Sequence, residues 1–377
     1  MSFTHFGSGR NSTQGKTMKK DTSILNSAEE MEILDKSNTK GSIEQFAQQA
    51  QHIWQQAQSL RISGEYKQVK NIVVGGMGGS ALGTHVIQTV FKDEIKLPIT
   101  IVPDYDLPAF VNEQTLFVAS SYSGTTEETL ASTKQALERG AKVTGITSGG
   151  ELAKLLKANN APALVFTPTY NPSGQPRMAL GYSIFGQIAL LSQLGVLNVT
   201  NKEVDAVLAA IADVHLRAGL AVAEKNNPAK LLAYQFSNRI PIITVAEHLE
   251  GVAHVFANQL NENAKTYSEF RVVPEINHHL LEGLQFPKNR DEVLFFFAVL
   301  SKLYQPSNRK RMKLTQEILQ NNHIEYQTLE LSGKTKLEQA FELLTFGAYV
   351  TYYLAMLHHL DPAPIPVVDW FKNKLKD

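Results

Sequence analysis

The sequence of 377 residues contains no cysteine. Disulfides, thiolate nucleophiles and cysteine-ligated zinc sites are therefore excluded, and a reducing compartment, the cytoplasm, is the natural expectation. Net charge is also missing, because 36 Lys and Arg balance 36 Asp and Glu. A general nucleic-acid binder or an anionic-membrane adhesin would show a basic excess or stripe. A neutral chain can still hold a small anion, since one phosphate needs only local groups. Long apolar runs are absent too. The longest, Val293 to Leu300, is far too short to cross a bilayer. The N-terminal stretch has no apolar signal-peptide core. The basic run Arg309-Lys-Arg311 with Lys313 has no interleaved aromatics, so it reads as a solvated helix face. Neither a nucleic-acid nor a membrane partner is expected.

What the chain does have is alternation. Residues 1–40 are polar and read as a flexible tail that becomes ordered near Ser27–Met31 or later. Ile43 to Leu60 is helical, with Phe46, Ile53 and Trp54 on one face. Strands are expected at 71–75, 98–102, 115–119, 142–146 and 163–166, with helices at 81–91, 126–140 and 151–158 between them. Long helices follow at 177–194 and 203–224. The rhythm then restarts, with strands at 241–245, 270–273, 292–297 and 325–329 and helices at 248–265, 315–321 and 337–359. Strands alternating with helices imply a parallel sheet covered on both faces. The expectation is two α/β domains, at 41–200 and 201–360, followed by a proline-rich segment at 361–377 that ends in Trp370-Phe371-Lys372.

Two turns stand at strand-to-helix junctions of the first domain. Gly75-Gly-Met-Gly-Gly-Ser80 can bring its backbone close to a phosphate at a helix N-terminus. It also fits a dinucleotide fingerprint loosely, or a ligand-free tight turn. Ser120-Ser-Tyr-Ser-Gly-Thr-Thr126 offers hydroxyls around Gly124, for a helix cap or a phosphate. Both turns fall at C-terminal strand ends of one sheet, where open α/β folds bind ligands. A dinucleotide fold has no use for the second.

Ser-Tyr-Ser-Gly-x-Thr after a strand resembles the phosphosugar motif of the sugar isomerase (SIS) domain. Gly-Met-Gly-Gly-Ser before a helix is similar to the first loop of one SIS branch, the bifunctional phosphoglucose/phosphomannose isomerases. The resemblance covers about residues 42–377. It implies two SIS-type domains, each a mainly parallel sheet flanked by helices on both faces. It also implies that Gly79, Ser80, Ser121, Ser123 and Thr126 hold the phosphate of a sugar.

Gln259-Leu-Asn-Glu-Asn-Ala-Lys265 ends a helix. Glu262 is there either solvated or a general base positioned by Asn261 and Asn263; the resemblance makes it the family's catalytic glutamate. His278 follows sixteen residues later, a spacing that lets the two side chains meet. The adjacent histidines His278 and His279 do not form a metal set, since no carboxylate completes one. By resemblance His278 occupies the ring-opening position. The family's Asn-His-Asn-Glu reads Asn-His-His-Leu here, with His279 and Leu280 departing and Glu275 or Glu282 as candidate substitutes. Pro176-Arg177-Met-Ala-Leu resembles the family's Pro-Arg-Ala-Ala-Leu, which makes Arg177 a fixed cation at the site. Lys372, with Lys374 as fallback, matches a lysine near the family's C-terminus.

The implied activity is aldose–ketose isomerisation of glucose or mannose 6-phosphate to fructose 6-phosphate through a cis-enediol. No metal or redox cofactor is expected. A homodimer with the active site at its interface is implied, each subunit lending a histidine to the other. The competing readings are a non-catalytic sugar-phosphate regulator and a nicotinamide-dependent oxidoreductase.

Overall fold

The computed structural model describes residues 23–375, so the first part of the expected N-terminal tail lies outside the described residues. Order begins close to where it was expected, near Ser27. Helices α1 (Ala28–Leu34) and α2 (Thr39–Glu44) form within the tail and lead into α3 (Phe46–Ala57). The Ser27 hydroxyl caps α1, and the Asp35 carboxylate accepts from the Thr39 and Lys40 amides at 2.7 and 2.8 Å. Leu25 and Met31 are buried. Two apolar anchors and two good caps suffice to order a stretch whose average composition is polar.

The first α/β unit runs β1 (Asn71–Gly75), α4 (Gly79–Val90), β2 (Ile99–Val102), β3 (Thr115–Ser120), α5 (Glu127–Glu138), β4 (Lys142–Thr147), α6 (Gly150–Ala158) and β5 (Ala163–Val165). A 3₁₀ turn at Pro176–Met178 precedes α7 (Leu180–Gln193), and α8 (Asn201–Ala218) follows. Helix α9 (Pro228–Phe236) was not expected from the sequence; its first turn is capped by Asn227. The second unit comprises β6 (Ile240–Ala246), α10 (Glu250–Asn263), β7 (Glu269–Val273), α11 (Arg290–Val293), β8 (Leu294–Leu300), α12 (Pro306–Asn321), β9 (Tyr326–Glu330) and α13 (Lys336–Leu357), before α14 (Pro366–Lys374) closes the chain. Glu292 belongs to the single turn α11 rather than to a strand. Helix α12 starts nine residues before the expected Thr315, with Pro306 in its first turn. Arg309, Lys310 and Lys313 lie exposed on it, as a solvated face should.

Both sheets are parallel throughout, in the orders β2-β1-β3-β4-β5 and β7-β6-β8-β9. The fold is α/β with helices on both faces of each sheet, as expected. Strand alternation sorts the side chains. Ile72, Val74, Leu116 and Val118 point into one core, which also takes Ile243, Val245, Phe295 and Phe297 from the second sheet. Val73, Phe117, Ala119 and Val143 fill a separate core on the outer face of the first sheet. Ile242 and Phe296 do the same for the second. The two units thus share one central layer of helices. Within it α4 and α10 cross at Gly251, where a Cβ would lie 2.5 Å from the His85 backbone, so only glycine permits this approach. Among the described residues α13 is the helix long and apolar enough to cross a membrane, and 94% of its apolar window is buried within the protein.

Candidate active site

In the order β2-β1-β3 the chain turns one way from β1 and the other way from β3, so a crevice opens between the ends of these two strands. Both expected loops sit there. After β1, Gly78 takes a positive φ of 51° and Gly79 begins α4. After β3, Gly124 has φ 68°, and a Cβ there would lie 1.9 Å from the Gly149 carbonyl oxygen. The hydroxyls shape the turn from inside. Ser121 Oγ accepts from the Gly124 amide at 3.1 Å and lies 2.9 Å from Thr126 Oγ1. Ser123 Oγ, exposed, accepts from the Thr125 amide and hydroxyl at 3.3 and 3.0 Å. The loops are tied together where the Tyr122 amide donates to Ser80 Oγ at 3.2 Å. All five expected phosphate residues therefore meet at one sheet edge, held by backbone groups and hydroxyls rather than by cations.

The same edge carries Arg177. Gly79 packs on the Pro176–Arg177 backbone, with room for a Cβ only at 3.3 Å from the Pro176 carbonyl. Arg177 is 4% exposed, and its guanidinium is almost fully engaged. Nε donates to Asn263 Oδ1 at 2.6 Å, Nη1 to Gln175 Oε1 at 2.9 Å, and Nη2 to the carbonyls of Pro362 and Ala363 at 2.9 and 2.6 Å. Gln259 Nε2 in turn donates to the Arg177 carbonyl at 3.0 Å. Nη1 also lies 3.5 Å from Glu262 Oε2. Glu262 is half-buried at the end of α10. Burial pushes its carboxyl above the ordinary range, while Arg177, Lys372 and Lys265 pull against that shift. A carboxylate of raised pKa facing a fixed cation can take a proton from carbon and return it.

Asn261 and Asn263 do not hold Glu262 directly. Asn261 Nδ2 donates to the Ala257 and Ser268 carbonyls, closing the end of α10, whereas Asn263 orients Arg177 and donates to Thr351 Oγ1 at 3.1 Å. Lys372 is exposed on α14, as is Lys374, and the charge of Lys372 favours the Glu262 carboxylate.

His278 stands apart. Glu262 ends the helix before β7, and His278 ends the 3₁₀ turn after it, at Glu275–His278. The five residues of β7 put about 13 Å of strand between the two ends. The expected meeting of the two side chains within one chain is therefore not seen. The sixteen-residue spacing is compatible with a return, but β7 carries the chain from one end of the sheet to the other. His278 is exposed, and Glu275 pairs with His279 at 2.6 Å rather than with His278.

Sequence reasoning missed Gln175, Gln259 and the carbonyls of Pro362 and Ala363 as partners of Arg177. An Arg beside a proline gives no hint of partners 86 and 185 residues away.

A model of the bacterial phospho-glucose isomerase C-terminal SIS domain matches residues 225–375, and a SIS domain model matches residues 65–151. The bifunctional phosphoglucose/phosphomannose isomerase of Caldicellulosiruptor bescii is 31% identical over 342 residues, which cover 89% of this chain and 98% of that protein. The protein of the same name from Thermoplasma volcanium is 29% identical, over 81% of this chain and 91% of its own length. In solved structures, a hypothetical protein of Thermus thermophilus superposes with a TM-score of 0.72 at 16% identity, covering 94% of both chains. The tagatose-6-phosphate ketose/aldose isomerase of Escherichia coli does so with a TM-score of 0.67 at 15% identity, covering 87% of this chain and 95% of its own.

Proposed function

The chain belongs to the family of bifunctional phosphoglucose/phosphomannose isomerases, and from that premise we propose that it interconverts glucose 6-phosphate, mannose 6-phosphate or both with fructose 6-phosphate. The observation that carries this reading is the Glu262–Arg177 pair, set on the same sheet edge as a cationless phosphate cradle. The cradle of Gly79, Ser80, Ser121, Ser123 and Thr126 anchors the phosphate, and the sugar chain runs toward Arg177. Glu262 removes the C2 proton of the open-chain aldose and delivers it to C1. The intermediate cis-enediol has no C2 stereochemistry, which lets one site serve both aldoses. Arg177 stabilises the negative charge that develops on oxygen. Lys372 assists ring opening, together with a histidine.

That histidine is His278 of a second copy. Three features support a homodimer with its active sites at the interface. His278 is exposed and a strand's length from its own Glu262. Helix α14, which carries Lys372, buries none of its residues. Its Val367, Trp370, Phe371 and Leu375 are each more than half exposed, an apolar surface of the kind that association covers. The divisions 41–200 and 201–360, with a catalytic segment from 361, and a cytoplasmic setting complete the proposal.

A coupled assay with each aldose 6-phosphate tests the reaction. Glu262→Gln should lower kcat by roughly 10²–10⁴-fold while leaving fructose 6-phosphate binding intact. Wild-type turnover in that variant would remove Glu262 as the base. Mixing inactive His278→Ala and Glu262→Gln chains tests the shared site. Each mixed dimer would hold one intact site, so about a quarter of wild-type activity should return on free exchange. No recovery between exchanging chains would place the histidine within its own subunit.

A further inference from the structure

One charged side chain at the site takes no part in the chemistry above. Lys265 follows α10, with its backbone in the left-handed region at φ 52°. That conformation costs roughly 1–2 kcal/mol for a residue with a Cβ. Its Nζ donates to the Pro362 carbonyl at 3.1 Å and to those of Asn263 and Asp361 at 3.3 Å. Arg177 Nη2 donates to the same Pro362 carbonyl. The turn is also closed by the Ala363 amide donating to Asp361 Oδ1 at 3.0 Å. Two cations on either side therefore converge on residues 361–363. Beyond that turn comes α14, which has no buried residue and so no core of its own to fix its direction.

We propose that Lys265 is a positioning residue, gripping the 361–363 turn so that α14 holds Lys372 against Glu262. The proposal rests on Glu262 being the base, but the grip itself does not. Arg177, Glu262, Asp361, Asp369, Lys372 and, at the end of α13, His358 surround the two ends of this clamp. Burial and the Arg177 charge bring the Lys265 ammonium down to about 8, with Asp361 and Glu262 opposing. The full clamp is thus present below that pH and weakens as the charge is lost above it.

Lys265→Met keeps the side-chain length and the same left-handed backbone strain, but it removes the donor. Its kcat should fall roughly 10- to 100-fold, as expected for a small misplacement of a working group, with KM for fructose 6-phosphate within about twofold of wild type. Amide hydrogen exchange across 366–374, read without substrate, should accelerate in this variant and not in Glu262→Gln. Lys265→Arg should restore slow exchange and recover turnover, and it should hold kcat to higher pH than wild type because a guanidinium does not titrate there. Unchanged exchange in Lys265→Met would overturn the clamp. Accelerated exchange with wild-type kcat would overturn its role in positioning. If the wild-type protein had no isomerase activity, the exchange arm would still decide the clamp, and the failure would belong to the proposed function alone.

Discussion

At the turning point of the first sheet, β1 and β3 end in open loops of glycine and hydroxyl residues. At the matching point of the second, β6 and β8 end in side chains already bonded to the protein itself. Glu247, after β6, accepts from the Gln305 amide and Asn308 Nδ2, both at 2.8 Å. Gln339 Oε1 accepts from Ser301 Oγ at 2.6 Å and lies 2.9 Å from His248 Nε2. Burial holds that imidazole neutral, near a pKa of about 4. The Ala246 amide donates to the Tyr304 hydroxyl at 3.1 Å. The strand order is the same in both places, yet an anion needs unspent donors, and the second crevice has spent its own. Fold alone does not make a ligand site; the loop residues do. The second unit contributes from its opposite edge instead, where α10 delivers Glu262 to the first unit.

The largest effect should come from breaking the joint between those contributions. Arg177→Met strips donors from Asn263 Oδ1 and from the Pro362 and Ala363 carbonyls, all buried against it. Loss of a buried, hydrogen-bonded charge costs about 3–5 kcal/mol, which a denaturant titration would read. Turnover should also drop roughly 10²–10³-fold. Arg177→Lys should recover only part of either, because one ammonium cannot serve three directions. Wild-type stability in Arg177→Met would mean that the joint lies elsewhere.

Next in size is Gly124→Ala. The left-handed φ costs roughly 1–2 kcal/mol, and the new methyl must displace the Gly149 carbonyl. The cradle should open and KM rise by at least about tenfold, while kcat at saturation changes less. This loop was readable in advance. Ser121, Ser123, Gly124 and Thr126 all lie within six residues, so local turn chemistry announces them. The strands of both sheets were readable for the same reason, since short apolar runs buried on both faces, such as Thr115–Ser120 and Ile240–Ala246, are a local pattern. The Arg177 shell was not, because Asn263 and Pro362 come near only through the shared helical core. His278 shows the opposite failure: closeness in sequence suggested contact, and the length of β7 prevents it. The start of α12 was missed because polar residues dilute its apolar face, and α9 because nine residues give too short a window for its period to show.

A pair of smaller substitutions sharpens the contrast between the crevices. Ser123→Ala removes one hydroxyl from the open cradle and should raise KM about tenfold, the worth of one charge-assisted hydrogen bond of about 1.5 kcal/mol. Glu247→Ala, in the closed crevice, should cost about 1.5–3 kcal/mol of stability through its two lost hydrogen bonds and leave KM and kcat unchanged. A rise in KM for Glu247→Ala would mean that the second crevice also handles substrate.

The smallest effect concerns stability rather than rate, and its sign is opposite to that of most substitutions at buried sites. Glu262 sits in a place whose burial disfavours its charge more than its cationic neighbours favour it, so its pKa is raised in the folded protein. A group with a raised folded pKa stabilises fully below its unfolded pKa, here about 4.5. That contribution is lost as the pH rises through the folded value. Holding the ionised carboxyl in that place therefore costs the wild-type protein stability. Glu262→Gln never makes that concession. Its melting temperature should exceed the wild-type value at pH 7, and the gap should close as the pH falls into the range where wild-type Glu262 takes up its proton. A melting temperature lower than wild type at pH 7 would show that the Arg177 pairing outweighs burial, and Glu262 would then be a structural anchor of the joint as much as its reactive group.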